Sequence, residues 1–127
     1  MDKNILATAA FLGMTGILLG AFGAHGLKKI VEPESVASFE TGVRYQIYHA
    51  LFLLFIGTTT LLNEAAKKQI FTLVVTGVVL FSVSIYFLAL KKYIPFEIKK
   101  IGFITPIGGL LLIGAWGMLF LNIIKQK

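Results

Sequence analysis

Four stretches of the chain contain no Asp, Glu, Lys or Arg: residues 4–27, Tyr45–Asn63, Gln69–Leu90 and Ile101–Ile124, about 24, 19, 22 and 24 residues long. About 20 helical residues suffice to cross the hydrocarbon core of a bilayer. Within these runs polar side chains do not recur every third or fourth position, as they would on the wet face of a soluble helix. The pattern predicts an all-α membrane protein: a four-transmembrane-helix bundle with short connectors, one domain over residues 1–127, with spans at approximately 4–25, 43–62, 69–90 and 104–124. The apolar fraction of 57% against 14% charged residues is well outside the range of soluble domains.

The first run, preceded by Lys3 and ending in small residues at Ala21–Ala24, has the outline of a signal peptide. Its apolar part exceeds the usual length of such a segment, so it reads as a retained span. Gly13, Gly16, Gly20 and Gly23 fall within an arc of about 80° at 100° per residue, a small-residue stripe that lets another helix approach closely. Three partner helices are covalently attached, so intramolecular packing is the favoured use of the stripe, ahead of a homo-oligomer. Gly26 suits the residue just past a helix end, followed by Lys28 and Lys29 at the negative end of the dipole.

Glu32-Pro33-Glu34 reads as a helix start. The second helix is expected to begin there or near Ser38 and run to about Leu62, with a bend at Gly42. Asn63–Lys68 reads as a tight connector, and Lys91–Lys100 as a second, basic one containing Pro95. Thr105 as N-cap and Pro106 at the first helical position predict a fourth helix over Pro106–Ile124, with 101–104 entering as non-helical chain and free N–H groups facing the connectors. Gly108, Gly109, Gly114 and Gly117 would allow close packing there, and Trp116, mid-span, reads as a packing residue.

On the second helix Ser38, Gly42, Tyr45, Gln46 and His49 share one face, while Glu40 and Arg44 lie opposite at ion-pair spacing, with Tyr48 placed to stack on Arg44. Counting crossings gives two membrane sides. Side B receives the end of the first helix, the start of the second, the end of the third and the start of the fourth; side A holds the termini and the link at Asn63–Lys68. His25, Tyr45, Gln46, His49, Ser82, Ser84, Tyr86 and Thr105 are thereby gathered toward side B as a candidate polar or ligand cluster. Side B carries seven Lys and Arg residues and side A five, too even a count to orient the bundle, although it leans to side B in the cytoplasm.

Gly20–Leu27 (G-A-F-G-A-H-G-L), Val43–Leu51 (V-R-Y-Q-I-Y-H-A-L), Phe81–Tyr86 (F-S-V-S-I-Y) and Thr105–Gly109 (T-P-I-G-G) resemble, in this order, the bacterial small inner-membrane family called domain of unknown function 423. The resemblance extends over the whole chain and departs at Val83, where glycine is expected. It implies a four-span protein of the bacterial inner membrane and implies no activity.

The net charge of +6 comes from Lys and Arg flanking the spans, where they meet lipid phosphates, so membrane lipids and not nucleic acid are the expected partners. With no cysteine, disulfides and thiolate metal sites are excluded. The favoured reading is a non-enzymatic membrane protein, without cofactor or metal, whose polar cluster hydrogen-bonds the helices together. The alternative is a site for a small anion, polar solute or lipid headgroup at side B, motivated by a helix N-terminus at Thr105 beside two histidines and lysines. Axial ligation of haem or a metal by His25 and His49 is a third reading, without supporting carboxylates or thiolates. Ser82 or Ser84 with His49 would lack both a nucleophile elbow and an orienting acid.

Overall fold

A computed structural model describes residues 2–94 and 99–126, and among these every regular element is helical. Four long helices succeed one another: α1 (Asp2–Ala24), α2 (Pro33–Thr58), α3 (Glu64–Ala89) and α4 (Lys99–Ile124). Short 3-10 turns at Leu27–Lys29 and Lys91–Tyr93 follow α1 and α3. Three of the helices, α1, α3 and α4, are long and apolar enough to cross a membrane. The other, α2, is equally long but carries Glu34, Glu40 and Arg44 in its first half.

Several boundaries differ from the expectation, each for a local reason. Pro33 does open α2, with Glu32 as the extended residue before it. The helix stops at Thr58, short of Leu62, where three successive β-branched threonines begin an extended link. Asn63–Lys68 is no connector. The Asn63 side chain accepts a hydrogen bond from the Ala66 amide at 2.8 Å and caps α3, so these residues form its first turn. Gly26 has right-handed backbone angles and is not a left-handed helix terminator. The largest difference is in α4: Pro106 lies inside the helix, which begins at Lys99, so Thr105 is not an N-cap and no helix N-terminus exists there. Proline removes one backbone bond and crowds the carbonyl at Gly102, which spanning helices tolerate; Gly102 has open space around it. Pro95 lies outside the described residues.

Helices α1 and α2 pack antiparallel along their full lengths. Gly13 faces Ala50, Gly16 faces Ile47, Gly20 faces Val43 and Gly23 faces Phe39, with Gly57 of α2 receiving Leu6 at the other end. The glycine stripe of α1 is thus turned toward a helix of its own chain. In the second pair, α3 and α4, a Cβ on Gly108 would sit 2.7 Å from the Leu80 carbonyl carbon and 2.9 Å from the Gly77 oxygen, so the two backbones touch. Gly109 lies against the Phe81 ring, whereas Gly114 and Gly117 face open space and pack against nothing. Beside Gly108, residues Val79–Val83 of α3 loosen into a π-helical turn. Such turns re-aim the side chains that follow them; Val83, in this turn, stands beside Ile101 and Ile104.

The buried apolar residues form two clusters. One, toward side A, includes Ile5, Ala9, Phe52, Leu53, Ile56, Ile70, Val74, Leu112 and Ala115. The other, toward side B, includes Leu27, Val36, Phe39, Val43, Tyr86 and Ala89. Between them on α2 stand Gln46 and His49, both 4% exposed.

Candidate functional site

The polar residues meet halfway down the bundle, as two constellations and not as one cluster at the side-B surface. The first centres on Gln46. Its amide nitrogen donates to the Leu12 carbonyl at 2.9 Å and the Thr15 hydroxyl at 2.8 Å, both on α1. Its Oε1 accepts the Tyr86 hydroxyl of α3 at 2.7 Å. Thr15 passes its own proton to the Phe11 carbonyl at 2.8 Å. One turn toward side B, Ser82 Oγ donates to the Gly42 carbonyl at 2.7 Å. Glycines make these approaches achievable: a Cβ on Gly42 would lie 2.7 Å from the Tyr86 ring, and one on Gly16 would lie 2.8 Å from Ile47 and 3.5 Å from the Gln46 nitrogen. Gly42, expected as a bend, is the gap through which Tyr86 reaches Gln46.

The second constellation centres on His49. Its Nδ1 lies 2.7 Å from the Tyr45 carbonyl, which can only accept, and its Nε2 lies 3.1 Å from the indole N–H of Trp116, which can only donate. These partners assign the neutral tautomer with the proton on Nδ1. Phe52 packs edge-on against Trp116, ring centroids 4.2 Å apart. Nearer side B, Ser84 donates to the Phe81 carbonyl at 2.8 Å and therefore receives the Thr105 hydroxyl. Among the described residues no buried side-chain polar atom lacks a partner.

Three expected participants stand elsewhere. His25 is exposed at the end of α1. Gly23 is level with Phe39, which puts His25 about 18 Å from His49 along the axis, twelve residues at 1.5 Å each. The two histidines cannot ligate one haem or metal, and among the described residues no group of three potential ligands gathers. Tyr45 is 39% exposed and joins through its ring, centroid 5.0 Å from Phe81, while its hydroxyl stays outside the buried network. Glu40 and Arg44 form no ion pair; Arg44 Nη2 donates to the Thr41 hydroxyl at 3.1 Å, and among the described residues the ion pair is Lys67 with Asp2 at 3.3 Å. No stacking of Tyr48 on Arg44 occurs among the described residues; Tyr48 leans on Tyr45 instead. Neither serine meets His49, so no nucleophile and base are paired.

Sequence reasoning overlooked four contributors: the Leu12 carbonyl, Thr15, the indole nitrogen of Trp116 and the Asp2–Lys67 pair. Thr15 carried a usable signal, since it adjoins Gly16 in the stripe that faces α2. Trp116 carried none, because its contact with His49 depends on how the α3–α4 pair docks.

Beside the His49 constellation an open groove of about 450 Å³ runs down the outside of the bundle, bounded by Tyr45, Phe81, Gly109, Ile113 and Trp116. Its walls are mostly apolar and aromatic, with His49 as a polar member whose two ring nitrogens are engaged by Tyr45 and Trp116, and this lining suits a hydrocarbon chain.

Comparisons with known proteins agree with the membrane character of the helices. Residues 19–109 match the model of the family described as Protein of unknown function (DUF423). A UPF0382 membrane protein of Staphylococcus haemolyticus is 38% identical over 123 residues, 97% of each chain. UPF0382 membrane protein YwdK of Bacillus subtilis is 33% identical, covering 97% of this chain and 98% of its own. UPF0382 inner membrane protein YgdD of Escherichia coli is 31% identical, covering 99% of this chain and 93% of its own. No solved structure matches the chain.

Proposed function

The chain belongs to the DUF423 family of bacterial membrane proteins, and on that footing we propose that it is a non-enzymatic inner-membrane protein of four spans whose buried polar residues fix the arrangement of its helices. The observation that carries this reading is Gln46, whose amide spends both ends on three partners from two other helices. Both of its N–H donors are taken, so it has none to offer a solute, and its oxygen is already held by Tyr86. Water is scarce at that depth, so each bond also relieves the penalty of an unpaired polar group.

Insertion of α2 as a fourth span is supported by its partner. It lies antiparallel to α1 from Phe39 at one end to Gly57 at the other, and a helix in contact along the length of a spanning helix shares its environment. Glu34 and Glu40 then fall at or above the side-B surface. The site for a small anion loses its main support, because the helix N-terminus at Thr105 does not exist.

The chain has no cysteine, so single cysteines at Lys29, Lys68, Lys92 and Lys125 can be labelled in intact cells with a membrane-impermeant maleimide. Four spans place positions 29 and 92 on one side and 68 and 125 on the other. If α2 stayed on the surface, position 68 would share a side with 29 and 125 while 92 stood opposite, and that pattern would refute the reading.

A further inference from the structure

We infer that the groove beside Tyr45 holds an acyl chain of an anionic phospholipid from the side-B leaflet, with the lipid phosphate bound by Arg44; the inference rests on α2 crossing the bilayer. Arg44 lies about 7 Å below the side-B end of α1, judged from Gly20 facing Val43 and a rise of 1.5 Å per residue. A guanidinium at that depth is unfavourable unless it bends toward the headgroups and finds an anion. It does bend that way: its Nη2 is held by Thr41, one turn nearer side B. The neighbouring acid does not neutralise it, since Glu40 forms no ion pair with it.

The groove begins at the same level and descends. Its wall on α4 runs from Gly109 to Trp116, about 10 Å by the same rise, and its wall on α2 starts at Tyr45, the residue next to Arg44. A cationic fork at headgroup depth above an apolar, aromatic trough matches the two ends of a phospholipid, and the planar guanidinium suits a phosphate. The Arg44 guanidinium is in no ion pair among the described residues, so its charge favours an anionic headgroup over a zwitterionic one.

Trp116 is the only tryptophan, so its fluorescence reports occupancy of the groove directly. The full chain is reconstituted in mixed bilayers of phosphatidylglycerol and phosphatidylcholine in which one or the other carries bromines mid-chain. Brominated phosphatidylglycerol is expected to quench Trp116 with a relative binding constant about fivefold above brominated phosphatidylcholine, the factor one basic residue contributes at a membrane surface. Arg44→Gln should bring the ratio to one and Arg44→Lys should retain part of it. Ile113→Phe, which fills the trough from an exposed position, should weaken quenching by both lipids. Lys28→Gln with Lys29→Gln, at the end of α1, should change nothing. A ratio of one in the unaltered protein means surrounding lipid only and overturns the proposal. So does a ratio insensitive to Arg44→Gln, loss of the preference in excess inorganic phosphate, or shielding of Trp116 by a second copy of the chain. Failure of the four-span reading would appear separately, in the maleimide pattern.

Discussion

Replacing Gln46 by leucine tests the central arrangement. The substitution preserves approximate volume and removes three hydrogen bonds of 2.7–2.9 Å. Bonds between helices in membranes contribute about 0.6–2 kcal/mol each. Two of the former partners keep other engagements: the Leu12 carbonyl remains within its helix, and Thr15 still donates to Phe11. Only the Tyr86 hydroxyl, on a ring 9% exposed, is stranded. The expected loss is about 2–3 kcal/mol, from the bonds removed together with the orphaned hydroxyl. Tyr86→Phe removes one bond and should cost about 1 kcal/mol.

The decisive quantity is the double variant. With Gln46 already leucine, Tyr86→Phe removes an unpaired hydroxyl and should be neutral or stabilising, leaving a coupling of about 1 kcal/mol or more between the positions. Unfolding in mixed micelles of increasing denaturing detergent, followed by helical circular dichroism, supplies all four free energies. Additive losses, or a Gln46→Leu variant as stable as the parent, would show that the network does not hold the bundle together and would refute the structural reading.

Two further expectations concern other contacts. Gly42→Ala places a methyl group 2.7 Å from Tyr86 and 3.3 Å from Ile85 and should lower stability by about 1–3 kcal/mol, whereas Gly114→Ala, with nothing within 4 Å, should stay within about 0.5 kcal/mol of the parent; equal effects in the same detergent titration would show that the α2–α3 approach is looser than described. At side A, Asp2→Asn leaves Lys67, a residue 4% exposed, facing a neutral amide in place of a carboxylate, while Lys67→Met removes the charge and keeps the stem. The asparagine variant should therefore melt at the lower temperature of the two, and the reverse order in a thermal aggregation assay would count against the carboxylate offsetting the buried lysine.

How much of this was legible in the sequence varies with the range of the interaction. Helix number and order follow from charge-free runs, and the turning of α1 toward a neighbour follows from its glycine period, because both are local. The start of α2 was readable from Pro33 for the same reason. Thr105-Pro106 misled. The same residues that start a helix in water sit inside one in lipid, where a broken backbone bond finds no competing water and the chain gains by staying helical. The π-helical turn at Val79–Val83 leaves no trace in the residues, since it answers the close backbone of Gly108 on another helix. Counting crossings gives a side, but only packing gives depth, and packing sets Gln46 and His49 near mid-bundle with His25 left at the rim.

The division of labour between glycines and polar bonds follows from the medium. Lipid tails are as apolar as leucine, so burying apolar side chains between helices gains little, and association must come from close packing or from directed bonds. Inside each antiparallel pair the glycines dominate: Gly13 to Gly23 for α1 with α2, Gly77 and Gly108 for α3 with α4. Between the pairs the directed bonds recur: Tyr86 to Gln46, Ser82 to the Gly42 carbonyl and Trp116 to His49, all ending on α2. Helix pairs joined by short turns meet at high effective concentration and need only a smooth surface to pack. The two pairs can slide and rotate against each other, and van der Waals contact alone distinguishes those arrangements poorly. On the structural reading proposed above, three donors that each find one acceptor along α2 select a single register, and α2 is the helix that touches both partners.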